Sequence, residues 1–309
     1  MSNWISYSPH IKSKLTTTKI YLLMIALLLP SVACACVLLD YRPFLLVAVS
    51  VLTALISDVC FKLCVEKNYE FTEISAIFIG LIIGLSCPSG ASFYMPIIAT
   101  IFSIIFIRDL AGGIGKNFVS EIAVAVVLSS LIFGTGFNSY IDPASGLVVN
   151  TSYMDRVLSG DVAGINIVNS LFGGNAGLVG DSGLLFIIIA GVVLCALKVI
   201  DLRVPVAVIA STLLFTLLFY SLNVSINITL TAEVMLCAFF VAPDFAVVPT
   251  NKYVKWVYGL LIGFIGVLLT KVSGARFAIM SATIIVGLIS AIYNGMVLEF
   301  RKRSEVKNG

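Results

Sequence analysis

Three carboxylates stand inside or at the edges of long apolar runs, at Asp58, Glu121 and Glu233. A charge carried to the middle of a bilayer costs about 3 kcal/mol on insertion scales, so each is a candidate for handling protons or cations along an ion pathway. Glu233 lies deepest in its run and leads the three; the plain alternative is a buried hydrogen bond. Asp58 and Glu121 fall near the ends of their runs, where water, or Lys62 one helical turn from Asp58, would satisfy them. The one histidine, His10, precedes every apolar run, so histidine-based chemistry within a membrane is excluded.

Two glycine-rich turns suggest a different chemistry. In Gly112-Gly113-Ile114-Gly115-Lys116-Asn117, three glycines among four residues let the backbone approach a ligand or a neighbouring helix closely. The amides at the following helix start would hold an anion such as a phosphate or a flavin, with Lys116 adding charge. A tight interhelical turn explains the same residues. The second turn, Gly177-Leu178-Val179-Gly180-Asp181-Ser182, opens another apolar run. Here Asp181 and Ser182 also suit a helix start, so capping is a second explanation. The cofactor-binding candidates are therefore Gly112, Gly113, Gly115, Lys116, Asn117, Gly177, Gly180, Asp181 and Ser182. The seven cysteines (34, 36, 60, 64, 87, 195 and 237) all fall in or beside apolar runs and read as small packing residues, so no metal site is expected.

The elements that must position these groups are membrane helices. The 309-residue chain is 60% hydrophobic and only 11% charged, with a mean hydropathy of +1.10. Soluble domains carry about 25% charged residues. A net charge of +3 is too small to point to nucleic acid. Ten apolar runs lie near 20–39, 43–65, 72–88, 92–108, 118–135, 184–200, 204–221, 225–243, 254–271 and 276–298. The first is long enough to span and lacks a small-residue cleavage site. The fold expected is an all-α polytopic membrane protein of about ten transmembrane helices. Its parts are a cytoplasmic tail (1–19), a first five-helix half (20–135), an outer loop and re-entry (136–183), a second half (184–298) and a second cytoplasmic tail (299–309).

Of the 19 basic residues, all but Arg42, Arg156, Lys271 and Arg276 then fall on the side of the two tails. The positive-inside rule makes that side cytoplasmic. It also places the long polar interval Gly134–Gly183 outside. Five spans on each side of that interval mean that the second half enters the membrane in the opposite sense. Two inverted halves are allowed by this geometry, with a site where they meet.

Several short motifs recur in the order and spacing of one family: Ser8-Pro9-His10-Ile11, Gly112–Asn117, Gly177–Ser182, and Ala242-Pro243-Asp244 with Pro249-Thr250. Over essentially its whole length the chain resembles the RnfD component of the Rnf ion-translocating electron-transport complex and the related NqrB component of the Na+-translocating NADH:quinone oxidoreductase. The resemblance implies ten helices in two inverted halves, flavin cofactors, and electrons passed across the membrane while ions are pumped. It also implies a covalent FMN on a threonine of the outer loop, in a Ser-Gly-Ala-Thr setting. The matching stretch here is Ser159-Gly160-Asp161-Val162, and Val162 has no hydroxyl to carry the bond. After Asn117 the family has Phe-Asn-Pro-Ala, where this chain has Val119-Ser120-Glu121-Ile122.

The function expected is that of an RnfD-like component in a ferredoxin/NAD oxidoreductase that moves Na+ or H+. It would bind FMN or riboflavin non-covalently if at all. Its partners would be other Rnf-type membrane and flavin-bearing subunits, in the cytoplasmic membrane of a bacterium or archaeon. A small-solute channel or transporter on the same architecture is the alternative, since acidic residues and inverted halves suit one equally.

Overall fold

The computed structural model describes residues 16–66, 74–113, 115–159, 167–273 and 277–308. Each of the ten apolar runs is mainly helical over its described residues. In the first part, α1 (Thr17–Leu38) turns at Asp40, whose φ is 60°, into α2 (Arg42–Phe61). Pro43 enters α2 in its first turn, where a missing N–H leaves nothing unsatisfied. The helix winds on as a π-helix over Lys62–Glu66. Next come α3 (Ile74–Ser86) and α4 (Tyr94–Ile101), the latter continued by a π-helix over Phe102–Asp109, and then α5 (Glu121–Phe133).

The polar interval holds a two-residue antiparallel ribbon, β1 (Tyr140–Ile141) with β2 (Val148–Val149), and the short helices α6 (Tyr153–Leu158) and α7 (Ile167–Leu171). Ser152 and Asp155 start α6 with a reciprocal capping box. A 3-10 turn over Val179–Gly183 leads into α8 (Leu184–Ala196). After it come α9 (Arg203–Phe219), α10 (Leu222–Thr229) and α11 (Ala232–Leu236), which carries on as a π-helix over Cys237–Val241. The long helices α12 (Lys252–Ser273) and α13 (Ala278–Asn308) complete the described chain.

Among the described residues, five helices are long and apolar enough to cross a membrane. A sixth span results if α10 and α11, bent by 52° at Leu230–Thr231, count as one. Three shorter apolar helices, α3, α5 and α9, pack among them. The chain is thus a polytopic, all-helical membrane protein.

Two close helix pairs organise the bundle. On α3, a Cβ at Gly80 or Gly84 would come within 2.9 Å of the α2 backbone. On α12, a Cβ at Gly259 would lie 3.1 Å from the Val204 carbonyl oxygen of α9, and one at Gly263 would lie 1.9 Å from Ser211 Oγ. Lipid tails are as apolar as leucine, so such helices associate by close backbone approach and interhelical hydrogen bonds. Both seams have one: Ser50 Oγ donates to the Gly80 carbonyl at 2.7 Å, and Ser211 Oγ to the Gly259 carbonyl at 3.2 Å.

Candidate functional site

A small cavity lies under the polar interval. Tyr140, Ser152, Tyr153 and Asp155 line it from that interval, Thr231 and Glu233 from the α10–α11 break, and Thr270, Phe277 and Ile279 from α12 and α13. Three carboxylates reach it: Asp155, which caps α6, and Asp181 and Glu233, which hold backbone amides of other elements. Asp181 Oδ2 accepts the Leu178 N–H at 2.7 Å, and Oδ1 accepts the Ala232 N–H at 2.6 Å. Glu233 Oε1 accepts the Ile279 N–H at 3.0 Å, so the carboxyl group sits at the N-terminal end of α13.

The Gly177–Ser182 turn is filled by protein. Val179 N–H donates to the Cys87 carbonyl at 2.9 Å and Ser89 N–H to the Gly177 carbonyl at 3.2 Å, which docks the turn on the break between α3 and α4. A Cβ at Gly180 would lie 3.0 Å from Ala232 Cβ and 3.1 Å from the Leu85 carbonyl oxygen. A Cβ at Gly177 would lie 2.3 Å from Asp181 Oδ2. Ser182 is buried, and its carbonyl accepts the Cys34 thiol at 3.2 Å. The turn therefore joins the α3–α4 break to the α10–α11 break.

The Gly112–Asn117 turn is open by contrast. Gly112, Gly113 and Gly115 have φ of 99°, 92° and 80°, a region costly for any residue with a Cβ. A Cβ at Gly113 or Gly115 would meet nothing within 4 Å. Lys116 is exposed, while Asn117 is buried and its Nδ2 donates to Glu121 Oε2. A second small cavity adjoins this end of α5; it is lined by Glu121, Asp244 and the aromatic rings of Tyr21, Phe78, Phe239, Phe240 and Phe245. Loss of water around its carboxyl, and then the charge of Glu121, push Asp244 up to about 8, against the pull of the Ala246 amide.

Asp58 belongs to a buried ion cluster. Its Oδ1 pairs with Arg108 Nη2, and its Oδ2 lies 3.1 Å from Lys62 Nζ. Arg108, 1% exposed, also donates through Nε to Asp109 Oδ1 at 2.8 Å and through Nη1 to Ser75 Oγ at 3.3 Å. The three acidic candidates thus sit apart: Asp58 in this cluster, Glu121 in the second cavity, and Glu233 in the cavity under the polar interval. The two glycine turns are likewise separate.

Sequence reasoning missed Arg108, which counts there only as a charge at a helix end, and Asp244, which reads as part of a helix-stopping motif. The signal for Arg108 was a complementary acid in another apolar run. Among the described residues, no group of three or more His, Cys, Asp or Glu side chains could hold a metal ion. Cys87 and Cys237 are buried, whereas Cys60 and Cys64 are exposed. Ser8–Ile11 and Val162 lie outside the described residues.

The family described as NQR2, RnfD, RnfE matches residues 4–298. The chain belongs to this family. Among its relatives, the D component of the Na(+)-translocating ferredoxin:NAD(+) oxidoreductase complex of Acetobacterium woodii is 26% identical, over 87% of this chain and 86% of that protein. The D component of the ion-translocating oxidoreductase complex of Erwinia tasmaniensis is 25% identical over 96% and 98% of the two chains. The protein of the same name from Methanosarcina acetivorans is 25% identical over 87% and 86%. Within this family member, both glycine turns, both cavities and the Arg108 cluster fall inside the matched residues.

Proposed function

We propose that this chain is the RnfD component of an Rnf-like ion-translocating oxidoreductase complex, one that passes electrons between ferredoxin and NAD across the membrane with coupled Na+ or H+ movement. The observation that carries this reading is the family match over residues 4–298, joined to relatives named as D components along most of both chains. In this reading the membrane domain has ten spans in two inverted halves. The five-and-five split of the apolar runs around the polar interval supports it. Both tails and Lys116 lie in the cytoplasm, and Asp155 lies outside, following the distribution of basic residues.

A flavin, FMN or riboflavin, fits best at the Gly112–Asn117 turn. The open space beside Gly113 and Gly115 supports this assignment, with the exposed Lys116 adding positive charge for an anionic group. A bound flavin supplies a carrier that exchanges one or two electrons. No covalent FMN is attached, because Val162 lacks a hydroxyl. Ion passage uses Glu233 on one face and Glu121 on the other, with Asp58 beside its basic partners. Other Rnf-type membrane and flavin-bearing subunits complete the complex.

The test uses membrane vesicles from cells with and without the chain. Reduced ferredoxin should drive NAD reduction and cation uptake only when the chain is present. Both activities persisting without it would overturn the assignment. For the flavin, a denaturing gel should show no fluorescent band at the mass of this chain. A band lost on replacing Thr151 or Ser159 would restore covalent attachment.

A further inference from the structure

On the face opposite the polar interval, the α8–α9 turn, the stretch after the Cys237–Val241 π-helix and the first turn of α12 surround a solvent-connected groove of about 1130 Å³. Its charged lining is basic: Lys198, Arg203 and Lys255 face one carboxylate, Asp201. Asp201 Oδ2 accepts from Lys255 Nζ at 2.8 Å and from Arg203 Nη1 at 3.2 Å, and Oδ1 accepts the Arg203 N–H at 3.2 Å. Burial acts to raise the Asp201 carboxyl, but the Lys255 and Arg203 bonds and charges outweigh it and hold the group below the usual carboxylate range. It therefore stays ionised and keeps two cations side by side.

Lys198 is exposed and has no ion pair or hydrogen bond through its ammonium among the described residues. Its backbone is also unusual. Lys198 N–H donates to the Cys195 carbonyl and Val199 N–H to the Leu194 carbonyl, both at 3.0 Å, which makes the closing motif that ends many helices. The residue at this point takes the left-handed conformation, here with φ of 57°. Glycine fits such a position without strain, yet this chain presents a lysine there.

The groove also has an apolar rim. Leu197, Leu202 and Phe245 are exposed around it, and Tyr253 and Trp256 flank Lys255 in α12. Tyrosine and tryptophan favour the boundary between headgroups and acyl chains. Further along the same helices, Ile189 and Val192 of α8 and Val257 and Leu260 of α12 are exposed apolar side chains, as acyl chains require.

We infer that this groove binds the phosphate of an anionic phospholipid headgroup through Lys198, Arg203 and Lys255. The acyl chains run along the apolar faces of α8 and α12. Basic pockets between membrane helices recognise anionic headgroups through the same combination of charge and depth. An acidic protein surface would meet the cations equally well, but the rim of leucine, phenylalanine and tryptophan continuous with the membrane helices favours lipid.

The test reconstitutes the full chain, with whatever subunits accompany it, in vesicles of mixed phosphatidylglycerol and phosphatidylcholine. After re-extraction in mild detergent, retained phospholipid is measured by mass spectrometry. Phosphatidylglycerol should be enriched over the vesicle composition. Lys198→Gly should reduce that enrichment about fivefold, the effect of one basic residue at an anionic surface. The same variant should unfold at an equal or higher temperature, because glycine relieves the left-handed backbone, so a lost lipid cannot be blamed on a damaged fold. Lys198→Arg should keep the enrichment. Unchanged phosphatidylglycerol in Lys198→Gly would overturn the proposal. Displacement of the lipid signal by millimolar inorganic phosphate would assign the groove to free phosphate instead. Loss of a co-purifying subunit from Lys198→Gly, with lipid retained, would assign it to a protein partner.

Discussion

Replacing Asp181 with alanine tests the junction that holds the two breaks together. Its two carboxylate oxygens accept the Leu178 and Ala232 amides, one beside the turn into α8 and the other 51 residues away at the start of α11. Without the carboxylate, both amides lose their acceptor at a junction where even a Cβ at Gly180 would crowd Ala232 and Leu85. Each buried donor left unpaired costs about 1–3 kcal/mol, so the substitution should cost roughly 2–6 kcal/mol. At a few degrees per kcal/mol, the unfolding midpoint should fall by roughly 5–15 °C. Asp181→Asn keeps one acceptor and should lose about half as much. A thiol-reactive dye provides the assay, because Cys87 and Cys237 are buried until the bundle opens, while Cys60 and Cys64 set a constant background. Equal midpoints for wild type and Asp181→Ala would refute the claim that this carboxylate pins the breaks.

Arg108→Met should destabilise the chain by about 3–5 kcal/mol, because it leaves Asp58 and Asp109 charged and buried. Adding Asp58→Asn should recover part of the loss, as read by the same dye. Gly113→Val should remove bound flavin while the protein remains folded and inserted, whereas Gly180→Val should lower the unfolding midpoint, since only the second glycine is hemmed in by neighbours; flavin kept at full occupancy in Gly113→Val would make that turn a packing element. Asp244, raised to about 8, is mostly protonated at pH 7. A carboxyl raised on folding contributes stability that is fully present below its unfolded pKa and lost as pH rises through the folded value. Asp244→Asn should therefore flatten the fall in thermal stability through pH 8, and an unchanged pH profile would count against the shift.

Much of the helical frame was legible in the sequence because a bilayer demands long apolar runs, and every run expected here is mainly helix. What lay beyond reach depends on contacts between distant residues. The bend at Leu230–Thr231 contains neither glycine nor proline. Thr231 Oγ1, accepting from the Val234 N–H, and Asp181, holding the Ala232 amide, create it. Arg108 at the end of a run suggests a side chain reaching for water, and only the fold brings Asp58 and Ser75 to it. Glu233 was legible as a buried carboxylate. That it meets the start of α13 at Ile279, 46 residues on, was not. The glycines of both turns have one composition and two fates: Gly113 faces open space, while Gly180 is filled in by Ala232.

The central claim is membership of a multi-subunit redox complex, and affinity purification of the tagged chain in mild detergent tests it most directly. The account predicts that other small membrane subunits and a flavoprotein come with it, and that the assembly reduces NAD with ferredoxin as donor. A chain that purifies alone as a stable monomer, and moves a small solute when placed in liposomes, would contradict it.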